Sequence, residues 1–366
     1  MIRTRLLRVD PACPDPGVIE EAAMVLRRGG LLAFPTETVY GLGAHALDPA
    51  AVRAVFAAKG RPADNPLIVH TRCPEEAFAL ARALPEAAVR LAEAFWPGPL
   101  TLVVEADPAV PRETTAGLPT VAVRIPAHPV ALALLEAAGV PVAAPSANLS
   151  GRPSPTRAEH VLEDLEGRID GVLDGGETGV GVESTVIDVT VTPPVVLRPG
   201  GVSREELEAV IGPVREAVPA AGEAPRSPGL KYRHYAPRAR AVVVRGSPGE
   251  IARAINQVLE TGAGPSRAAF LLSDETAARL ARRPERLFLL GGRERPEEAA
   301  RRLYRGLREV DLPGVELIVM EAYPEAGIGR ALMDRMRRAA GGREMDAGAL
   351  AQRGFEAAGG GGETAP

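Results

Sequence analysis

Short apolar runs alternate with helical segments through the first 200 residues. A helix should begin after Asp48, which can cap it, because Pro49 suits the first turn and Gly60 can end it. This places Lys59 and Arg61 at a helix C-terminus. Clusters of β-branched and aliphatic residues bounded by Pro, Gly or polar residues predict seven strands. They are Leu31–Phe34, Pro66–Thr71, Pro99–Glu105, Thr120–Pro126, Pro141–Ala144, Ser184–Thr190 and Val195–Arg198.

A second series of strands and helices begins near Ala239 and predicts a small parallel sheet with flanking helices. Its strands are Ala241–Arg245, Ala268–Ser273, Arg286–Gly291 and Val315–Glu321, with helices near 249–261, 274–283, 296–310 and 328–340. The Pro-, Ala- and Gly-rich segment 213–238, which follows a short helix near 203–212, lacks a hydrophobic period and reads as a linker. We therefore expect an α/β protein with domains over 1–212 and 239–353 and a disordered tail over 354–366.

The composition is that of a globular protein with 46% hydrophobic and 25% charged residues. No run approaches the roughly 20 apolar residues of a membrane helix, and the N-terminus lacks the apolar core of a secretion signal. Cys13 and Cys73 are the two cysteines, which argues against a disulfide scaffold or a zinc ribbon. These features predict a cytoplasmic enzyme without membrane contact. The net charge of −4 gives no global attraction to nucleic acid.

Lysine is almost absent: of 43 basic residues, Lys59 and Lys231 are the two lysines. Asparagine is also rare, occurring at Asn65, Asn148 and Asn256. A compact ammonium offers chemistry that a guanidinium does not reproduce, so retained lysines mark positions of interest. Both lysines lie inside dense polar motifs.

The chain has no GxxxxGK[ST] loop, no GxSxG elbow and no HExxH. The glycines of residues 175–181 precede a strand instead of a helix, which favours a turn over a phosphate cradle. Lys59, Arg61, Ser146 and Asn148 combine basic groups with neutral donors and lack an acid–base dyad, which suits a nucleoside triphosphate. Individually, such residues also occur as helix-dipole charges and turn formers, and an isolated His70 is more often structural.

Taken together, the motifs resemble the YrdC-like threonylcarbamoyl-AMP synthases. The KxR…SxN signature of that family stands here as Lys59-Gly-Arg61 and Ser146-Ala-Asn148. Around it, in family order, stand FPTETVYGLG, NPLIVH, FWPGPLT, VAVRIP, PSANLSG, ESTV and LRPG. The resemblance implies a twisted mixed sheet with helices in the first domain. The segment SPGLKYRHYAP resembles the long form of the family, which implies a Rossmann-like second domain and a linker that covers the active site.

The resemblance also implies the reaction: L-threonine, bicarbonate or CO₂, and ATP with Mg²⁺ give threonylcarbamoyl-AMP and pyrophosphate. This would make the chain a nucleotidyltransferase that supplies the tRNA threonylcarbamoyl-transfer machinery for ANN-reading tRNAs. The implied catalytic residues are Lys59 and Arg61. The implied ATP contacts are Lys59, Arg61, Asn65, Thr120, Ser146, Asn148, Ser154, Arg198 and Tyr235. The implied threonine contacts are Thr38, His70, Arg124, the Ala144 backbone and Ser184. The implied lid residues are Lys231, Tyr232, His234 and Tyr235.

Two other functions fit parts of the sequence. A non-catalytic RNA-binding module is conceivable because 41 arginines could form a basic patch, but the net charge of −4 and the lack of interleaved aromatic and basic residues weigh against it. Weak RNA binding beside catalysis also stays open. A carbamoyl-transfer enzyme of the hydrogenase-maturation type needs cysteine-rich zinc fingers that two isolated cysteines cannot build.

Overall fold

A computed structural model describes residues 2–217, 234–261 and 267–353. The chain divides into two compact units, residues 1–232 and 233–366. Each unit has its own sheet, and strands alternate with helices in both. The α/β class expected from the sequence is therefore confirmed. Among the described residues, no helix is long and apolar enough to cross a membrane.

The first unit is organised around one mixed sheet in the order β1-β8-β2-β3-β7-β4-β6-β5-β9-β10-β11. Its central strands come from distant parts of the chain, so the sheet gathers the motif segments. The strands are β1 (Arg5–Arg8), β2 (Leu32–Phe34), β3 (Gly41–His45), β4 (Ile68–His70), β5 (Leu100–Glu105), β6 (Thr120–Arg124), β7 (Val142–Ala143), β8 (Gly171–Asp174), β9 (Thr185–Asp188), β10 (Val195–Arg198) and β11 (Arg215–Glu216).

Helices pack against this sheet, and α2 (Pro49–Lys59) begins and ends at the capping residues that the sequence predicts. The Asp48 carboxylate accepts a hydrogen bond from Ala50 N, and Gly60 ends α2 with a left-handed φ of 61°. The helices of the unit are α1 (Pro16–Arg27), α2 (Pro49–Lys59), α3 (Pro74–Ala79), α4 (Glu86–Phe95), α5 (Arg112–Thr115), α6 (Pro129–Ala138), α7 (Ala158–Leu165) and α8 (Arg204–Ile211).

Alternation along the central strands separates two faces of the sheet. Val69, Val121 and Val123 point into the main core. The intervening positions Ile68 and Ala122 point the other way and join a smaller apolar cluster. We call this cluster the floor; its members are Ile68, Val103, Ala122, Val186 and Leu197.

Four strands of the first unit were not predicted from the sequence: β1, β3, β8 and β11. Strand β3 reads as a loop because it contains Gly41 and Gly43, yet it pairs with β2 and β7. A Cβ at Gly43 would lie 2.8 Å from Val142 Cγ1, so this glycine permits close packing between strands instead of a turn. Strand β11 lies within the segment interpreted as linker and pairs with β10.

The second unit has a parallel five-stranded sheet in the order β14-β13-β15-β12-β16. The parallel sheet expected from the alternating pattern is confirmed, with β16 as an additional edge strand. The tail 354–366 lies outside the described residues. The elements are β12 (Arg240–Arg245), α9 (Pro248–Thr261), β13 (Ala268–Ser273), α10 (Asp274–Ala277), β14 (Leu287–Gly291), α11 (Pro296–Val310), β15 (Leu317–Glu321), α12 (Gly329–Ala339), β16 (Glu344–Asp346) and α13 (Ala347–Arg353).

A buried carboxylate joins the carboxyl ends of this parallel sheet. The side chain of Glu321, at the end of β15, is fully buried and accepts hydrogen bonds from Ser273 N at 2.8 Å and Arg293 Nη1 at 2.6 Å. The same guanidinium donates to Gly246 O at 2.9 Å. Ligands of doubly wound sheets usually bind outside these strand ends. Here the Arg293 guanidinium bridges the ends of β12 and β15.

Replacing Glu321 with Ala should destabilise the second unit by about 2 kcal/mol, because Arg293 and Ser273 N lose their buried partner. Hydrogen-exchange mass spectrometry of β12 to β15 measures this loss of protection. Glu316→Ala is the control, since its ion pair with Arg267 is exposed and should contribute little. Equal protection in both variants would contradict a stabilising role for Glu321.

Candidate active site

Polar side chains surround the floor where the central strands place them. His70 follows Ile68 by two positions in β4, and Arg124 follows Ala122 by two in β6, so these four residues share one face. The parallel register pairs His70 with Arg124. Both polar residues are nearly fully buried, with 3% and 4% of their surfaces exposed. Buried polar groups on an apolar sheet face indicate a binding site more than a structural core.

The predicted site residues fall into two groups along β4 and β6. His70 and Arg124 lie at the carboxyl ends of these strands. Thr120 opens β6, about 13 Å from Arg124 at the usual rise per residue, and Asn65 precedes β4. The structure therefore places His70 and Arg124, two of the residues predicted for threonine, at one end of β4 and β6, and Asn65 and Thr120, predicted for ATP, at the other.

Lys59 ties α2 to the loop that follows β7. Its ammonium is buried and donates to Ser146 O and Asn148 O, both at 2.5 Å. Burial, and then the neighbouring charge of Arg61, lower the pKa of Lys59 well below its usual range. A polyphosphate beside this ammonium would offset both effects, since it supplies the negative charge that the buried cation lacks.

Orphaned polar atoms cluster around Lys59. Within the described residues, Asn65 Oδ1, Asn148 Oδ1 and Ser150 Oγ are buried and have no hydrogen-bond partner. The Asn148 amide nitrogen, by contrast, donates to Leu149 O and Arg152 O, which fixes the side chain. Arg61 donates to Asn65 O and Pro66 O. Buried polar atoms normally find partners, so these orphans suit a polar ligand.

Arg124 and His70 differ in charge although they are neighbours. Burial, and then the charge of Arg124, lower the pKa of His70 to about 3, so the imidazole is neutral near pH 7. Arg124 Nε donates to Gly98 O at 3.2 Å, and its Nη2 lies 2.7 Å from Glu37 Oε1. A fixed guanidinium beside a neutral imidazole suits a carboxylate ligand.

Ser184 lies where the two groups meet. Its hydroxyl is 2.7 Å from Thr101 Oγ1, and Arg198 donates to Ser184 O at 2.9 Å and to Ser184 Oγ at 3.2 Å. Ser154 Oγ donates to Glu183 Oε1 at 2.6 Å beside it. Arg198 and Ser154, predicted for ATP, thus lie next to Ser184, predicted for threonine.

Thr38 and Ala144, the other two residues predicted for threonine, are held in place by backbone hydrogen bonds. Thr38 is fully buried, its hydroxyl lies 2.8 Å from Thr36 Oγ1, and its carbonyl accepts from Gly181 N. Ala144 N donates to Ile68 O at 2.9 Å, which fixes the loop before Ser146 beside β4. The N–H of Ala144 therefore already donates a hydrogen bond within the sheet.

The structure describes two of the four predicted lid residues, His234 and Tyr235. Lys231 and Tyr232 lie outside the described residues. Tyr235 belongs to the second unit, where its ring stacks on Tyr304 with centroids 5.4 Å apart and the Arg335 guanidinium lies 5.3 Å from its centre. Tyr235 also has a left-handed φ of 61°, a conformation that only firm surroundings maintain in a non-glycine residue. Contacts of Tyr235 and His234 with a nucleotide stay a prediction.

Four residues at the site were not singled out from the sequence: Glu37, Thr101, Ser150 and Glu183. All four lie within quoted motifs or one residue from a selected position. Glu37 gave a usable signal, because an acidic residue follows the apolar strand β2 by three positions there. The contacts of the other three depend on pairings between distant strands and loops.

Comparison with known proteins gives the family. A family model described as "Telomere recombination" matches residues 24–200, and one described as "Threonylcarbamoyl-AMP synthase, C-terminal domain" matches residues 202–341. A threonylcarbamoyl-AMP synthase of Pyrococcus abyssi is 49% identical over 326 residues, which span 88% of this chain and 94% of the relative. The chain belongs to the threonylcarbamoyl-AMP synthase family. The family expected from the motifs is thus confirmed.

Other members of the threonylcarbamoyl-AMP synthase family agree in sequence and structure. A Bacillus subtilis threonylcarbamoyl-AMP synthase is 48% identical over 90% of this chain and 94% of its own length. The crystal structure of Pyrococcus abyssi Sua5 complexed with L-threonine matches 94% of this chain and 99% of its own, with a TM-score of 0.87 and 47% identity. The two-domain fold implied by the resemblance is therefore confirmed.

His70→Gln should change how stability depends on pH. Because the pKa of His70 is lowered to about 3 in the folded state, the unfolded chain binds a proton more readily below pH 6.5. Wild type should therefore lose about 1.4 kcal/mol per pH unit relative to the variant as the pH falls from 6.5. Urea unfolding at pH 7 and pH 5, followed by the fluorescence of the single tryptophan, measures it. A stability difference that is independent of pH would contradict the buried, neutral imidazole.

Proposed function

We propose that the chain makes threonylcarbamoyl-AMP and pyrophosphate from L-threonine, bicarbonate or CO₂, and ATP. The observation that carries this function is the pair of buried cations: Arg124 lies at the carboxyl end of β6, and Lys59 holds the loop after β7 beside buried polar atoms that lack hydrogen-bond partners. The first suits an amino-acid carboxylate and the second a polyphosphate. The relative with bound L-threonine supports this function over a non-catalytic RNA-binding module.

At the phosphate end, catalysis requires positioning and charge stabilisation more than a strong base. Lys59 and Arg61 supply positive charge, and Asn65, Ser146 and Asn148 border the same space. The departing pyrophosphate gains negative charge as the bond to the α-phosphate breaks. Preorganised basic groups in a buried site stabilise that charge more strongly than water does. This makes the chain a nucleotidyltransferase.

At the other end, Arg124 holds the threonine carboxylate, while the neutral His70 and the Ser184 hydroxyl offer hydrogen bonds without adding charge. The threonine nitrogen then forms a bond to CO₂ and releases a proton, which gives a carbamate. A carbamate oxygen attacks the α-phosphorus, and pyrophosphate leaves with the electrons of the broken P–O bond. Ser184 and Arg198, which touch each other, lie where the two substrates would meet.

Mg²⁺ would bind at this site together with ATP. No group of three or more His, Cys, Asp or Glu side chains that could hold a metal occurs in the described residues. Mg²⁺ usually keeps several waters and binds through substrate phosphates and one or two carboxylates, so a dedicated cage is unnecessary. Glu183 is the carboxylate near the junction that could contribute. The ion would neutralise phosphate charge in the reaction.

The product would serve the machinery that transfers the threonylcarbamoyl group to tRNA. A threonylcarbamoyl adenylate is a mixed anhydride, so a transferase must consume it before water does. Residues 227–237, with Lys231 and His234, remain the proposed cover of the site. A cytoplasmic location follows from this role and remains a prediction.

Pyrophosphate release from ATP should require both L-threonine and bicarbonate. Lys59→Ala should lower kcat/KM by about 100-fold, because a buried charged donor contributes roughly 1.5–3 kcal/mol to charge stabilisation. Arg53→Ala is the matched control, since Arg53 lies on the same helix but is exposed and pairs with Glu113. This control should keep wild-type rates.

Release of pyrophosphate without L-threonine would contradict the proposed substrate. No release from folded wild type, together with salt-dependent binding to RNA, would instead support the RNA-binding module.

A further inference from the structure

Glu37 is a buried acid with unused hydrogen-bonding capacity. It lies in the loop between β2 and β3, and 12% of its side chain is exposed. Its Oε1 is 2.7 Å from Arg124 Nη2, yet neither carboxylate oxygen accepts a hydrogen bond within the described residues. A desolvated carboxylate is costly unless several donors satisfy it. The ion pair alone leaves this acid incompletely compensated.

Arg124 also has a buried polar atom without a hydrogen-bond partner. Its Nε donates to Gly98 O, but Nη2 makes no hydrogen bond despite its short distance to Glu37. A carboxylate whose role is only to neutralise an arginine usually forms parallel, well-aligned hydrogen bonds with it. Here donor and acceptor face each other with their hydrogen bonds unformed. This geometry leaves both groups ready for another partner.

Glu37 and Arg124 form a pair of opposite charges. Arg124 is the cation that faces it, whereas burial lowers the pKa of both neighbouring imidazoles, His70 and His128, and keeps them neutral near pH 7. One fixed cation beside one fixed anion matches a ligand that carries both charges on groups attached to the same carbon atom. An α-amino acid with an uncharged side chain is such a ligand.

We propose that Glu37 recognises the α-amino group of the amino-acid substrate, while Arg124 binds its carboxylate. Without substrate, the Glu37 carboxylate shields Arg124. With substrate, the incoming carboxylate accepts from Arg124 Nη2, and Glu37 accepts hydrogen bonds from the amine. This inference rests on the proposed function, because it assigns the substrate of that function to these two side chains. Glu37 thereby makes the site select amino acids over hydroxy acids.

The test compares two ligands on the full chain by calorimetry at pH 7: L-threonine and 2,3-dihydroxybutanoate, in which a hydroxyl replaces the α-amino group. Wild type should bind L-threonine at least about tenfold more tightly. Glu37→Gln keeps the shape but removes the charge, so it should weaken L-threonine binding by about 10- to 100-fold and leave the analogue unchanged or tighter. Glu113→Gln, which alters an exposed ion pair, is the control.

Each other outcome overturns the inference. Equal losses for both ligands in Glu37→Gln would assign Glu37 to orienting Arg124 alone. Equal affinity of wild type for both ligands, which needs no variant, would show that the amine is not recognised. Unchanged L-threonine binding in a folded Glu37→Gln variant would show that Glu37 does not recognise the amine. The proposed function would then stay intact. No L-threonine binding by wild type would overturn the proposed function as well.

Discussion

The Lys59 ammonium lies buried at the end of a helix and holds two backbone carbonyls, Ser146 O and Asn148 O. A buried cation is unfavourable unless it is fully bonded, so helix and loop must keep one relative position. That position also fixes the orphaned amide oxygens of Asn65 and Asn148 nearby. Burial, and then the charge of Arg61, lower the pKa of Lys59, and a neighbouring anion would offset both effects. The site is thus organised around a cation that an anionic substrate would stabilise.

The alternation of side chains along the strands positions the other polar residues of the site. Residues two apart in β4 and β6 share a face, so the apolar floor and the polar site residues come from the same strands. Ile68 and Ala122 provide the floor, and His70 and Arg124 follow them at the carboxyl ends. A rigid sheet holds these side chains more accurately than loops would. Arg124 lies at the carboxyl end of β6, whereas Lys59 holds the loop after β7.

The second unit contributes no comparable site in its described part. The strand ends where doubly wound sheets bind ligands are bridged by the Arg293 guanidinium, which pairs with Glu321. Tyr235, which lies near the end of the linker motif, packs against Tyr304 and Arg335. Within the described residues, the second unit thus holds Tyr235 of the linker motif in a defined position.

The sequence alone determined the family, the α/β class and most strands, because β-branched runs and ordered motifs are local signals. It predicted the positions of fewer than half of the described helices, those with clear end signals such as α2 among them. It also indicated the basic and hydroxyl residues of the site. It missed β3, since its glycines serve close strand packing, and β11, since a two-residue strand lies inside a linker-like composition. Only the tertiary structure placed Glu37 against Arg124 and Thr101 against Ser184. Such contacts depend on sheet register between segments far apart in the chain, and no local pattern encodes that register.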